Sequence, residues 1–159
     1  YAEIKGFGAT ADAYHITTPH PEAEGAIKSM QYAIEEARLN VKDIDYINAH
    51  GTSTQYNDLT ETKAIKSIFK DRSKNIFVSS TKSMIGHSLG ASGALEAITT
   101  ILTINNSLIT PTINYTTPDP QCDLNYVPNN SLNHRVTNAL SNSFGFGGHN
   151  STLAIGKYN

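Results

Sequence analysis

Hydrophobic and polar positions repeat with two different periods along this chain, and the two periods predict alternating strands and helices. Residues 1–8 alternate apolar and polar side chains, which is the pattern of a half-buried strand. Residues 22–39 place apolar side chains on one helical stripe, and Asn40 is a candidate C-cap for that helix. The predicted stripe comprises Ala26, Met30, Ala33, Ile34 and Ala37.

The same two patterns return in the rest of the chain. Short strands are predicted over residues 44–49 and 76–79, and a helix over 58–69 lies between them. Residues 89–108 are small and apolar nearly all round, which predicts a helix buried inside the fold. Three closing strands are predicted over 123–127, 136–142 and 151–155.

Strands that alternate with helices favour a layered α/β fold, and the successive strands at the end add an antiparallel element to the sheet. The length of 159 residues suffices for one domain with a hydrophobic core and is short for two. The sequence therefore predicts a single α/β domain over residues 1–159. Since the chain lacks an initiator Met and opens in a strand pattern, we expect further protein before Tyr1.

The composition is that of a globular domain without a strong charge. Charged residues make up 16% and hydrophobic residues 38% of the chain, and the formal net charge is −2. This charge gives no electrostatic drive toward nucleic acid or an anionic membrane, so we expect neither as a partner. Five basic residues at helical spacing favour a solvated face, and contact with an acidic carrier protein is the second interpretation. They are Lys63, Lys66, Lys70, Arg72 and Lys74.

Cysteine content and hydropathy indicate the cellular compartment in which the protein is expected. Cys122 is the only cysteine, so an intrachain disulfide is impossible, which is typical of a reducing compartment. The longest apolar run, over 94–108, is broken by polar residues and is too short to span a bilayer. We expect a cytoplasmic protein, or an organellar one that has lost its transit peptide.

Two histidines follow predicted strands, where the loops of α/β sheets bind ligands. His50 comes after the strand over 44–49, and His87 precedes the apolar segment over 89–108. Glycine and hydroxyl residues flank both histidines, so backbone amides and hydroxyl groups are available to a polar substrate. Position alone leaves open the alternative of two structural histidines satisfied by their neighbours.

A lysine and a glutamate strengthen the case for a functional site. Lys82 stands in a run of small polar residues five positions before His87, and Glu96 is a carboxylate on an otherwise apolar predicted helix. Lysine is rarely buried without a partner, and a lone buried carboxylate is costly, so we expect the two to pair. A purely structural ion pair is the alternative.

The segment over 142–150 is rich in glycine and carries two phenylalanines, Phe144 and Phe146. Its glycines allow positive φ angles and close approach of the backbone to a ligand, and exposed amides can bind an oxyanion. The phenylalanines are large for turn residues and suit a lid over an apolar tunnel. A tight hairpin with packed aromatics is the alternative, and a dinucleotide loop is disfavoured because no helix pattern follows.

Other kinds of site fit the sequence less well. His50, His87 and His149 are conceivable metal ligands by residue type, but no close ligand spacing supports a metal site, and we predict none. A serine hydrolase requires a nucleophile elbow, and the sequence has none. Cys122 lies in a proline-rich loop beside Asp123, whose charge is expected to raise the pKa of the thiol, so we interpret this cysteine as structural.

Together these motifs resemble the β-ketoacyl-[acyl-carrier-protein] synthases of type II fatty-acid synthesis, of the elongating, 3-oxoacyl-ACP synthase II-like kind. The matching segments are Asn-Ala-His-Gly-Thr-Ser-Thr over 48–54, Ser-Thr-Lys-Ser-Met-Ile-Gly-His over 80–87, and the glycine-rich segment over 142–150. They occur in the family's order and spacing, and residues 12–15 and 111–114 match as well. The resemblance covers essentially the whole chain and corresponds to the C-terminal half of the family.

The resemblance implies the thiolase-like fold, in which two similar halves each contribute helices and a mixed five-stranded sheet. It implies that residues 1–20 bridge from an N-terminal half, that the active site lies between the halves, and that the full protein is a homodimer. The expected partner is acyl carrier protein, whose phosphopantetheine arm carries the substrates, and no cofactor is expected.

The resemblance also implies roles for individual residues. His50 and His87 would be neutral and would donate hydrogen bonds from Nε2 to the thioester oxygen of the malonyl group. Lys82, held by Glu96, would supply a fixed positive charge that disfavours protonation of the histidines. The residues that would hydrogen-bond the pantetheine arm are Thr52 and Thr54.

The glycine-rich segment would serve the acyl thioester. The Phe146 amide would form half of an oxyanion hole, and Phe144 and Phe146 would gate the acyl pocket. Gly145 and Gly147 would let the backbone approach the substrate. His149 is expected to brace this loop through a hydrogen bond and to take no part in catalysis.

One departure from the family stands out, because its nucleophilic cysteine belongs to the other half. The parent protein would condense malonyl-ACP with an acyl-enzyme thioester by decarboxylative Claisen chemistry, whereas this chain alone is expected to be inactive. The alternatives are a non-catalytic module that binds carrier protein or pantetheine, and the remnant of a split reading frame. We also expect a broad apolar face where the other half would pack.

Overall fold

The computed structural model describes residues 1–158, in which helices and strands alternate along most of the chain. The strands are β1 (Glu3–Ala11), β2 (Tyr46–Asn48), β3 (Phe77–Ser79), β4 (Leu108–Ile109), β5 (Leu132–Asn133), β6 (Asn138–Gly145) and β7 (His149–Gly156). The α-helices are α1 (Glu24–Glu36), α2 (Gln55–Phe69), α3 (Lys82–Ile85) and α4 (Ser92–Asn106).

Five of the strands form one mixed sheet in the order β1-β7-β6-β2-β3. Strand β2 pairs in parallel with both β3 and β6, whereas β7 runs antiparallel to β6 and to β1. The predicted α/β fold with a mixed five-stranded sheet is therefore confirmed. Strands β4 and β5 form a separate two-stranded antiparallel piece that the sequence patterns did not indicate.

The sheet separates two hydrophobic cores, because neighbouring residues of a strand point to opposite faces. Ile47 of β2 packs with side chains of α1 and α2 on one face, whereas the adjacent Tyr46 packs with Ile104 of α4 on the other. Leu140 and Ala139 of β6 divide between the two faces in the same way. The structure is thus a three-layer arrangement of helices, sheet and helix.

The first helix is shorter than its pattern predicts. Ala26, Met30, Ala33 and Ile34 are buried as expected, but α1 ends at Glu36. The prediction that Asn40 caps this helix is wrong. The Asn40 backbone N–H and side-chain amide both donate to the Asp43 carboxylate, so Asn40 instead begins a separate turn of 3-10 helix over Val41–Asp43.

The prediction of a fully buried helix over 89–108 is also wrong, in its bounds and in its environment. A 3-10 turn over Leu89–Ala91 precedes α4, and the helix buries its polar side, including Glu96 and Thr100. Its large apolar side chains instead face outward. The hydrophobic pattern predicts that they are covered, but no other segment of residues 1–158 covers them. The exposed ones are Leu95 at 37%, Ile98 at 54% and Leu102 at 49%.

The closing strands also differ from their predictions. The segment over 123–127 forms no strand, and only Asn125 makes an isolated bridge, to Phe77 of β3. Strand β6 continues through Phe144 to Gly145, so the glycine-rich segment begins inside the sheet. The β1 strand extends to Ala11 and pairs with β7 on both sides of a register shift between Ile4 and Gly6, so residues 3–11 belong to the same sheet. Within residues 1–158, no helix has both the length and the apolar character needed to cross a membrane.

Candidate active site

The predicted site residues converge at one edge of the sheet because parallel strands end there together. His50 follows β2, Lys82 begins α3 just after β3, and Phe144 lies near the end of β6. His87 lies in the loop after α3, and Glu96 projects from the buried side of α4. Segments that are up to about 95 residues apart in sequence thus contribute to one cluster.

The two histidine rings are neighbours in this cluster and meet edge to face. The His50 and His87 ring centroids lie 5.6 Å apart with an interplanar angle of 84°. The Phe144 ring lies 5.7 Å from His50 and covers part of its surface. His50 is only 6% exposed, whereas His87 lies at the open side of the cluster.

Lys82 and Glu96 form the predicted buried ion pair. The Lys82 ammonium contacts Oε1 of Glu96, and both side chains are almost completely buried. Burial raises the pKa of the Glu96 carboxyl, and the Lys82 ammonium partly opposes this rise. Glu96 Oε2 is buried without a hydrogen-bond partner among residues 1–158, so the pair is only partly satisfied.

The same lysine determines the protonation of His50. Lys82 Nζ lies 3.3 Å from Nδ1 of His50, and an ammonium can only donate, so Nδ1 accepts and the ring proton is on Nε2. Burial, followed by the charge of Lys82 and the neighbouring His87, lowers the pKa of His50 to about 3. His50 is therefore neutral at physiological pH.

His87 has the same arrangement through a different donor. The Leu89 backbone N–H donates to Nδ1 of His87 at 3.0 Å. Because Nδ1 accepts this bond, the proton of the neutral ring lies on Nε2. Both histidines thus present Nε2–H as a hydrogen-bond donor.

Glu61 of α2 is a part of the site that the sequence patterns did not reveal. Its carboxylate is 4% exposed and accepts the backbone N–H groups of His50 and Gly51, each at 2.9 Å. It also accepts the side-chain amide of Asn142 from β6 at 3.0 Å. Glu61 therefore ties the loop that carries His50 to a helix and to the adjacent strand, although burial raises the pKa of its carboxyl.

The tight turn after His50 requires glycine at position 51. Gly51 has φ of 41°, and a Cβ there would lie 2.6 Å from Cβ of Ser80. The Ser80 hydroxyl donates to the Gly51 carbonyl at 2.6 Å, so the loops after β2 and β3 are joined directly. This contact holds His50 and Lys82 in neighbouring positions.

A cleft of about 770 Å³ opens beside His87. Thr52 and Thr54, the predicted pantetheine contacts, line it, and their hydroxyls lie 2.9 Å apart. Lys82 and His87 line the same cleft. The structure thus brings these four predicted residues to one concave surface.

Cys122 also lines this cleft, although the sequence placed it in a loop outside the motifs. Burial raises the pKa of its thiol, and the charges of Asp119 and Asp58 add to that effect. The expected contribution of Asp123 is not found, because Asp123 pairs with Lys66 and Lys74 instead. A thiol in this environment is a poor nucleophile.

The glycine-rich segment comprises the end of β6 and the turn that leads into β7. The Phe146 side chain is 77% exposed and is not among the residues that line the cleft, whereas Phe144 belongs to β6 and contacts His50. Gly145 is exposed at the end of β6, and the Gly147 N–H donates to the Ile16 carbonyl at 2.7 Å. The Gly147 amide is therefore occupied within the chain.

The same turn is fixed to the loop after β1. The Asp12 N–H donates to the Gly148 carbonyl at 2.8 Å, and a Cβ on Gly148 would lie 2.8 Å from Cβ of Asp12. The expected bracing hydrogen bond from the His149 ring is not found among residues 1–158. The ring instead packs against Gly147, where a Cβ would lie 3.2 Å from Cδ2 and Nε2.

A metal ion would require a set of ligands among the described residues. Over residues 1–158, His, Cys, Asp and Glu side chains nowhere form a group of three or more that could hold a metal ion. His50 and His87 are neighbours, but His149 lies on the β6–β7 turn beside Gly147. The two close imidazoles are engaged at Nδ1 by groups of this chain.

Comparison with known proteins agrees with this geometry. The family described as "Beta-ketoacyl synthase, C-terminal domain" matches residues 1–116. The chain is 54% identical over 158 residues to 3-oxoacyl-[acyl-carrier-protein] synthase 2 of Staphylococcus aureus strain COL, covering 99% of this chain and 38% of that protein. It is 53% identical over 158 residues to the protein of the same name from Synechocystis, with the same coverage.

Solved structures show the same fold. A ketosynthase described in complex with its type II polyketide acyl-carrier protein superposes with a TM-score of 0.97 at 37% identity, covering 99% of this chain and 39% of that one. A beta-ketoacyl synthase from Burkholderia phymatum superposes with a TM-score of 0.92 at 40% identity, covering 99% of this chain and 38% of that one. The chain thus spans a little over a third of the length of these relatives, and it belongs to the beta-ketoacyl synthase family, of which it carries the C-terminal domain.

Proposed function

We propose that this domain supplies the decarboxylation half of a 3-oxoacyl-ACP synthase that condenses malonyl-ACP with an acyl-enzyme thioester in fatty-acid elongation. One observation carries the proposal: two neighbouring imidazoles meet edge to face, and each has Nδ1 occupied by a donor from the chain. Each ring therefore keeps an Nε2–H to donate, and the two ring centroids are 5.6 Å apart. Two such donors suit an oxygen atom that gains negative charge.

The reaction explains why two donors are useful. As CO₂ leaves the malonyl group, the electron pair of the breaking C–C bond passes toward the thioester carbonyl, and its oxygen becomes enolate-like. Donors aimed at that oxygen bind the transition state more strongly than the ground state. Loss of one such donor typically lowers the rate by about 100- to 1,000-fold.

Lys82 helps to keep His50 in the correct protonation state. Its ammonium donates to Nδ1 of His50 and repels a second proton there, and Glu96 holds it in place. The residues for pantetheine would be Thr52 and Thr54, which line the adjacent cleft. The oxyanion role of the Phe146 amide and the gating role of the two phenylalanines remain predictions. We also propose that the chemistry uses no cofactor.

The proposal requires a second polypeptide segment. The only thiol is that of Cys122, and its raised pKa makes it a poor acyl acceptor, so the acyl-carrying cysteine would come from an N-terminal half. The outward apolar side chains of α4, Leu95, Ile98 and Leu102, offer the surface on which that half would pack. We propose that the complete protein is a cytoplasmic homodimer that receives substrates from acyl carrier protein.

A chimera tests this function. The matching 158 residues of the S. aureus synthase would be replaced by this chain, and release of labelled CO₂ from malonyl-ACP would be measured. We expect activity within about tenfold of the unaltered synthase, and a loss of about 100- to 1,000-fold in His50→Ala and His87→Ala. The matched control is His149→Ala, which should keep most of the activity.

The same experiment separates the alternatives. A module that only binds carrier protein or pantetheine would give a folded chimera that binds malonyl-ACP and releases no CO₂. The isolated chain should show no condensing activity in either case. A folded chimera in which both histidine variants retain full decarboxylation would contradict the proposal.

A further inference from the structure

Ser92, the first residue of α4, contacts the imidazole of His87. Its hydroxyl lies 3.0 Å from Nδ1 of His87, the same nitrogen that accepts the Leu89 backbone N–H at 3.0 Å. An amide N–H can only donate, so Nδ1 carries its lone pair toward both groups. The hydroxyl of Ser92 must therefore be a donor as well, and the lone pair of Nδ1 receives two hydrogen bonds.

The burial of Ser92 makes this contact specific. The residue is 4% exposed, so its hydroxyl needs a partner within the protein. Two other hydroxyls on α4, those of Thr99 and Thr100, donate to backbone carbonyls four residues earlier. The side chain of Ser92 instead bonds to His87.

The position of Ser92 relates it to the second histidine. Glu96 follows Ser92 by four residues, so the two side chains lie on the same buried side of α4, one turn apart. Glu96 holds Lys82, which donates to Nδ1 of His50. One face of α4 thus acts on both imidazoles at Nδ1. Ser92 contacts His87 directly, whereas Glu96 acts on His50 through Lys82.

We propose that Ser92 is a positioning residue, which helps to fix His87 with its proton on Nε2 and its ring in one orientation. It acts on the reaction only through His87. The kinetic consequence rests on the proposed function, whereas the effect on the ring does not. Two experiments therefore test the two parts separately.

The first experiment measures the ring itself. In the ¹⁵N-labelled chain, the Nδ1 and Nε2 resonances of His87, assigned with His87→Gln, should show the proton on Nε2. Ser92→Ala should shift the Nδ1 resonance, and Ser92→Thr, which keeps the hydroxyl, should restore it. The control is Ser151→Ala, whose hydroxyl donates to the Ser143 carbonyl at 3.2 Å. An Nδ1 resonance that is unchanged in Ser92→Ala would overturn the proposal, even if the chain proved to have no catalytic role.

The second experiment is a double-mutant cycle on CO₂ release in the chimera. Ser92→Ala should lower kcat by about two- to tenfold, the effect of one hydrogen bond, and should leave KM unchanged. In the His87→Ala background the same substitution should have no further effect, because the residue through which it acts is gone. An equal loss in both backgrounds would show that Ser92 acts elsewhere and would overturn the proposal.

Discussion

The Lys82 ammonium lies between the Glu96 carboxylate and Nδ1 of His50, 3.3 Å from that nitrogen. One lysine therefore neutralises a buried acid and fixes the proton of a buried imidazole on Nε2. Both the acid and the imidazole are almost completely buried. The arrangement makes the protonation state of His50 a property of the fold.

Removal of the lysine should be costly, because it leaves Glu96 buried and unpaired. We expect Lys82→Met to lower the free energy of unfolding by about 3–5 kcal/mol, as measured by urea denaturation. The double variant Lys82→Met/Glu96→Leu should recover much of this loss. The exposed Lys28→Met is the control, and an equal loss in the single and double variants would contradict the ion-pair account.

Replacing the Glu61 carboxylate by an amide should destabilise the fold. In Glu61→Gln the new NH₂ group would face one of the donors from His50, Gly51 or Asn142, which leaves a buried donor unsatisfied. We expect a loss of about 1–3 kcal/mol in the free energy of unfolding. The control is the exposed Glu35→Gln, which should change the free energy of unfolding little. An equally small change in Glu61→Gln would show that the carboxylate has no positioning role.

The pH dependence of stability should report the pKa of His50. The folded-state pKa is lowered to about 3 from an ordinary 6.5, so between these values the unfolded chain binds a proton that the folded chain does not. The contribution of His50 to the free energy of unfolding is therefore fully present above about pH 6.5 and is lost as the pH decreases toward 3. The slope for one proton is about 1.4 kcal/mol per pH unit.

This pH dependence can be assigned by substitution. Urea denaturation across pH 4–7 should give a slope that is smaller by about one proton in His50→Gln than in the wild-type chain. The control is the exposed, non-titrating Gln31→Ala on α1, which should leave the slope as it is. An identical slope in all three proteins would show that His50 titrates normally.

Cys122 should react slowly with thiol reagents. Burial and two carboxylates raise the pKa of its thiol, so little thiolate is present at neutral pH. We expect alkylation by iodoacetamide at pH 8 to be at least about tenfold slower in the folded chain than in urea. Intact mass after incubation with acyl-ACP should show no acyl adduct, and rapid acylation would contradict the proposed need for a second half.

The apolar side of α4 should make the isolated chain self-associate. Leu95, Ile98 and Leu102 expose 37%, 54% and 49% of their surface on one helix. Replacing all three by Gln should reduce association in light-scattering measurements without loss of helix content. The control is Tyr32→Gln, 47% exposed on α1, and a wild-type chain that is monomeric at high concentration would count against this surface.

The sequence by itself determined the fold class and much of the chemistry. The alternation of helical and strand patterns gave the α/β class, because periodicity reflects local geometry. The cost of burying a lone charge predicted the pairing of Lys82 with Glu96 before any distance was known. The motifs around His50 and His87 likewise marked the residues that gather at one edge of the sheet.

The tertiary structure decided what depends on contacts between distant segments. Glu61 has no distinctive pattern, and its role exists only because α2 packs beneath the loop after β2. The contact of Ser92 with His87 depends on the turn over 89–91, which no periodicity indicates. The exposed apolar side of α4 shows the same limit. A hydrophobic pattern predicts that a surface is buried, but it does not indicate which part of the protein packs against that surface.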